Sequence, residues 1–111
     1  MTLRPALALI AALALCACAS GAHQRKVARG HDLAQANCSS CHAIGRSGDS
    51  PAPEAPPFRT LSQNYRVADL EEALAEGISV GHPAMPNFAF APEDAEALIA
   101  YLQTIQDEPP R

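Results

Sequence analysis

The chain has no Trp, two Tyr and three Phe in 111 residues. So short and aromatic-poor a chain builds a thin core, and something besides side chains is expected to fill it. A buried cofactor is one such staple. Strand patterning is missing as well, which leaves an all-α class. There is no basic excess: eight Lys+Arg face twelve Asp+Glu, a formal net charge of −4. That argues against nucleic acid, whose phosphates are met by Lys and Arg. Apolar runs of membrane-spanning length are also lacking, and the longest one, Pro5 to Leu15, is too short for a comfortable span.

That run has a different use. Arg4 supplies a positive start, Pro5 to Leu15 an apolar stretch, and small residues follow at once. The order is that of a secretory signal. Leu15-Cys16-Ala17-Cys18 resembles a bacterial lipobox, which would place acyl chains on Cys18 and tether the mature protein to a membrane. Ordinary cleavage after Ala17 to Ala19 or Ser20 to Ala22 is the alternative and would release a soluble protein. The lipoprotein reading is preferred, because Cys is uncommon in signal peptides and Ala17 before Cys18 suits lipidation. We divide the chain into a leader at 1–17, a tether at 18–24, one domain at 25–108 and a tail at 109–111. Losing Arg4 leaves seven basic residues against twelve acidic ones, a net charge of −5 for the mature part. Such a balance leaves room for a basic docking partner.

Three helices are expected. The first runs from about Gln24 to Ala36, with Val27, Gly30 and Ala34 on one stripe. Gly30 in mid-helix costs about 1 kcal/mol relative to Ala, so close approach of another helix is expected there. The second, Val67 to Glu76, carries Val67, Leu70, Ala73 and Leu74, and Gly77 ends it. The third runs from Pro92 to Gln106. Pro92 suits the first helical position, and Glu93, Asp94 and Glu96 complement the positive end of the dipole. Leu98, Tyr101, Leu102 and Ile105 form its apolar stripe. Ala43 to Asn64 holds four Pro and two Gly, and no regular element is expected in it. A long irregular loop wrapped around a ligand fits that composition better than a linker. Ile78 to Ala91 is expected to be irregular too.

Cys38-Ser39-Ser40-Cys41-His42 is a C-x-x-C-H. Two thiols three positions apart can add to the two vinyl groups of one haem edge, and the following His then sits on one face of the macrocycle with a ring nitrogen toward the iron. A thioredoxin-like redox pair would need a β-α-β setting, a zinc site a second Cys pair, and a disulfide only export. Covalent attachment of one haem c is the reading adopted. For the sixth iron position Met85 in Gly81-His82-Pro83-Ala84-Met85-Pro86-Asn87-Phe88 is preferred, since Pro83 and Pro86 present its thioether stiffly and Met1 leaves with the leader. A gap-filling core Met is its bland alternative, and His82 is the rival ligand.

These residues resemble a class I cytochrome c, the small monohaem all-α electron-transfer family, over about Val27 to Gln106. The resemblance rests on Cys38 to His42, on Gly30 eight positions before Cys38, on Tyr101 in the last helix, and on His82-Pro83-Ala84-Met85-Pro86. It implies a cytochrome c fold, with three main helices and irregular loops around the haem, and contact between Tyr101 and Gly30. It implies that a Pro carbonyl accepts a hydrogen bond from the second nitrogen of His42. Pro56 and Pro57 are the candidates, and Pro57 is preferred. Arg59 and Tyr65 are candidate donors to a haem propionate, the alternatives being a solvated loop residue and a packing aromatic. Phe58, Leu61, Phe88 and Phe90 are expected to form the haem shell. The Lys-rich face of mitochondrial members is missing, so their partners do not transfer. The expected function is outer-sphere carriage of single electrons between protein redox partners in the periplasm, by a monomer that is not an enzyme. A haem-bearing subunit of a larger membrane-associated oxidoreductase, and a sensor or enzyme with displaceable Met85, are the alternatives.

Overall fold

The computed structural model describes residues 3–77 and 84–107, with the backbone alone for 3–8. Three α-helices carry the architecture: α1, Leu3–Asn37, α2, Leu70–Glu76, and α3, Pro92–Thr104. No strand occurs among the described residues. The all-α expectation holds.

Helix α1 starts well before Gln24. Its Ala- and Leu-rich opening has high helix propensity, so the helix runs unbroken from Leu3 through the stretch expected to be a tether. Its early apolar side chains meet nothing: Leu13 is 66 % exposed and Leu15 72 %. Packing begins at Val27. No described helix is long and apolar enough to cross a membrane.

The second half of α1 crosses α3 at Gly30. A Cβ built there would lie 2.0 Å from the Ala97 carbonyl oxygen and 2.7 Å from the Tyr101 Cβ. Only a residue without a side chain lets the helices approach so closely, which explains the helix-weakening glycine. Ala34 is fully buried beside it. Around this crossing Leu98, Tyr101 and Leu102 of α3, with Ile105 just past its end, join Phe58, Leu61 and Val67 in one core. Lys26–Glu96 and Arg29–Asp94 ion pairs flank it at the surface.

Two elements differ from expectation. The Ala43 to Asn64 loop contains a 3₁₀ helix, Phe58–Gln63. Those six residues hold no Pro or Gly, and Phe58 and Leu61 at i,i+3 fall on one side of a three-residue turn, where both are buried. The Gln106 amide braces the element from afar. Its Nε2 donates to the Phe58 carbonyl at 2.8 Å, and its Oε1 accepts from the Ser62 N–H at 2.9 Å. The second predicted helix opens as a 3₁₀ turn, Val67–Asp69, before α2. Gly77, at φ +77°, ends α2 as expected, its N–H donating to the Ala73 carbonyl at 3.1 Å.

Candidate functional site

The C-terminus of α1 delivers the Cys pair. Cys38 N–H still donates to the Ala34 carbonyl at 2.9 Å, so Cys38 continues the helix. The Cys38 carbonyl then accepts from Cys41 N–H at 3.2 Å and from His42 N–H at 2.9 Å. This turn sets both thiols and the imidazole at one end of the core. Cys38 is half-buried and Cys41 exposed. Burial, and secondarily the neighbouring Cys41, pushes the free Cys38 thiol up to about 11. It is therefore neutral at physiological pH.

His42 is fixed by its surroundings. Its Nδ1 lies 2.8 Å from the Pro56 carbonyl oxygen. A carbonyl only accepts, so Nδ1 carries the proton and Nε2 keeps its lone pair. The ring also packs on Phe58, with centroids 4.7 Å apart. The loop that provides Pro56 is held by backbone bonds to the same turn. Ala52 N–H donates to the Cys41 carbonyl at 3.1 Å and Phe58 N–H to the Ala43 carbonyl at 2.9 Å, while Ser50 Oγ accepts from Ala43 N–H at 3.0 Å.

Next to these groups lies a cavity of about 380 Å³. Cys38, His42 and Met85 stand on its wall, with Leu70 and Leu74 from α2 and Leu98 and Leu102 from α3. Phe58, Leu61, Tyr65 and Phe88 complete the lining. A smaller opening beside it exposes Cys41 and shares Cys38, His42 and Met85. The donor set fits a covalently held haem: an imidazole with a fixed tautomer, a thioether and the Cys38 thiol on an otherwise apolar cavity, with the Cys41 thiol of the same turn on the adjoining opening. Among the described residues no three His, Cys, Asp or Glu side chains gather as a metal site of another kind.

Three site expectations change. The carbonyl that meets His42 is that of Pro56. Pro57, at ψ 136°, turns its carbonyl into the 3₁₀ helix, where it accepts from Thr60 N–H at 3.0 Å and Thr60 Oγ1 at 2.8 Å. Arg59 is not on the cavity. Its guanidinium donates to the Gly48 carbonyl at 2.7 Å and pairs with Asp107 at 3.7 Å. Phe90 lies against the core and stacks on Phe88, centroids 5.4 Å apart, while Phe88 alone of the two reaches the lining. Tyr65 does line the cavity, 43 % exposed, and burial pushes its hydroxyl above the ordinary tyrosine range. His82 lies outside the described residues.

Sequence reasoning missed two supports. One is Gln106. The other is the Ile44 carbonyl, which accepts from the Tyr101 hydroxyl at 2.7 Å and ties α3 to the segment just after His42. Neither has a local signal, since both partners are far away in sequence. The α2 and α3 leucines of the wall were legible from their helical stripes.

Comparison with known proteins gives a consistent picture. The family model described as Cytochrome c matches residues 27–106. Among curated proteins, the chain is similar to Cytochrome c-552 of Bradyrhizobium diazoefficiens. The two are 28% identical over 94 residues, which covers 85% of this chain and 88% of the relative. No solved structure matches the chain significantly.

Proposed function

This chain belongs to the cytochrome c family, as a class I c-type cytochrome, and from that premise we propose that it is a monohaem electron carrier of the cell envelope. Membership implies covalent haem c. In our reading thioethers from Cys38 and Cys41 would hold it, and His42 Nε2 and Met85 Sδ would ligate its iron. The observation that carries this is the His42–Pro56 hydrogen bond beside an apolar cavity that shares Cys38, His42 and Met85. Cys16 and Cys18 sit outside the matched residues, exposed on the helix extension, and are not the attachment pair in this reading.

When bound, the haem supplies a one-electron couple. The protein's part is to hold it still. Pro56 keeps the proton on Nδ1 and raises the basicity of the ligating nitrogen. The Leu70, Leu74, Leu98 and Leu102 walls exclude water and, with a neutral thioether, favour the ferrous state. With His42 and Met85 both offered to the iron, no residue role here would require a bound substrate, and transfer would be outer-sphere. The exposed Cys41 side is the path to partners. Residues 1–17 act as leader, Cys18 takes the lipid and residues 18–24 bridge to the domain, which ends near 108.

Intact mass of the mature protein tests the whole reading. We expect one haem added, cleavage before Cys18 and acyl chains on it. Cys38→Ala and Cys41→Ala together should abolish haem staining on denaturing gels. Full staining in that double variant would sink the attachment claim, and an unmodified mass starting after Cys18 would sink the lipoprotein claim alone.

A further inference from the structure

We infer that Phe58 sets the plane of the His42 ring, and that Pro56-Pro57-Phe58 grips this imidazole at two points, its edge and its face. The inference rests on the proposed ligation of a haem iron by His42.

The two contacts differ in kind. At the edge, Nδ1–H donates to the Pro56 carbonyl at 2.8 Å. That bond fixes which nitrogen carries the proton. A carbonyl oxygen accepts over a broad range of directions, however, so one hydrogen bond holds the ring plane only loosely. At the face lies the Phe58 ring, with centroids 4.7 Å apart and planes 34° apart. Two flat rings this close do not turn past each other without overlap. Phe58 is itself held. It is buried in the core, its N–H donates to the Ala43 carbonyl at 2.9 Å, and its own carbonyl accepts from Gln106 Nε2 at 2.8 Å. Ala43 follows His42 in the chain, so the backbone carrying one ring is tied to the backbone carrying the other.

Pro57 keeps the two grips at a set spacing. Its pyrrolidine restricts its own φ, −57° here, and confines Pro56 to extended conformations. The Pro56 carbonyl and the Phe58 ring are thus presented together by a segment with little freedom. This gives the adjacent prolines a purpose that one carbonyl acceptor does not require.

The plane matters for electron transfer. In low-spin ferric iron the unpaired electron occupies one of two d orbitals of nearly equal energy, and the plane of a bound imidazole decides which lies higher. It thereby sets the direction along which that orbital spreads over the macrocycle. Phe58 acts on this through His42 and is a positioning residue.

Proton NMR of the ferric holoprotein tests the inference, because haem methyl shifts follow the orientation of that orbital. Phe58→Leu keeps an apolar side chain and loses the flat face. We expect covalent haem and the low-spin Met signature to remain, while the methyl lines move and their spread changes. Phe58→Tyr keeps the face and should keep the unaltered pattern. Val67→Ala also cuts into the core, away from the cavity lining, and should lower stability without moving the lines. Pro57→Ala frees the spacing and removes neither contact, so it should displace the lines by less than Phe58→Leu. It carries the test where Phe58→Leu takes up no haem. Methyl lines that stay in place in Phe58→Leu, or in Pro57→Ala where the Leu variant does not load, would overturn the inference. So would lines that move as far in Val67→Ala or Phe58→Tyr as in Phe58→Leu. An unaltered chain purified with no haem spectrum would refute the haem reading itself, before any shift is measured.

Discussion

The His42 and Met85 sides of the cavity are built differently. On the His42 side, backbone does the positioning. His42 follows directly from α1, and six hydrogen bonds join Cys38, Cys41, His42 and Ala43 to one another and to the 50–58 loop. On the Met85 side the anchors among the described residues lie downstream. Phe90 N–H donates to the Leu74 carbonyl at 2.9 Å, and Phe88 stacks on Phe90. Met85 stands three positions before Phe88, between Ala84 and Pro86. Among the described residues His42 is thus part of the folded framework, and Met85 is laid against it. A change to the framework should cost fold stability, whereas a change at Met85 should cost mainly redox properties.

The crossing at Gly30 is the hardest part of the framework to alter. In Gly30→Ala the new Cβ would be 2.0 Å from the Ala97 carbonyl oxygen, a backbone atom that cannot turn aside. The helices must separate, and α1 carries the Cys38 turn with it. We expect a loss of about 3 kcal/mol, at the upper end for overpacking, measured by denaturant unfolding of the holoprotein. An unchanged midpoint would show that the crossing is not rigid.

Gln106→Ala comes next. It leaves the Phe58 carbonyl and the Ser62 N–H without the Gln106 amide that now bonds both. Phe58 packs on His42, so the effect falls on the framework side. The expected loss is about 2 kcal/mol, with the ferrous–ferric potential little changed. A large potential shift with intact stability would reverse the assignment of Gln106 to the framework.

Met85→Ala should show the opposite pattern. Met85 is half-buried, so the loss of packing is about 1 kcal/mol. The potential should fall, within the about 0.8 V that axial ligands span, and the low-spin Met signature should vanish while covalent haem remains. A spectrum that survives the substitution would transfer the role to His82.

How much of this was readable beforehand follows the same division. Local chemistry was legible: the C-x-x-C-H turn, the start of α3 at Pro92 with Glu93 and Asp94, the Leu stripes, and the reason for Gly30. Choices settled by distant partners were not. Pro56 and Pro57 are adjacent carbonyls of one residue type, and only the fold of Phe58–Gln63 decides which faces His42. Arg59 reads as a free cation in sequence because Gly48 and Asp107 are remote from it. The 3₁₀ helix was hidden in a Pro- and Gly-rich stretch because its brace, Gln106, comes 44 residues after Ser62.

The smallest effect sharpens the comparison from the alkaline side. Tyr101 is 7 % exposed, and its hydroxyl donates to the Ile44 carbonyl, two residues past His42. Burial raises its pKa, against a smaller lowering by Arg46. The folded chain therefore holds the Tyr101 proton more tightly than the unfolded chain, whose tyrosines titrate near pH 10. The resulting stabilisation is fully present below about pH 10 and is lost as pH climbs through the folded value. Tyr101→Phe should cost about 1 kcal/mol at neutral pH, the worth of one hydrogen bond. It should also flatten part of the fall in stability above pH 10. Tyr65 is raised in the same direction by burial, so Tyr65→Phe is the matched control on the cavity wall. Unfolding curves of both variants at neutral pH and above pH 10 separate the two. If Tyr101→Phe unfolds like the unaltered chain at neutral pH, the Ile44 tie contributes nothing, and the His42 side is held by its own loop alone.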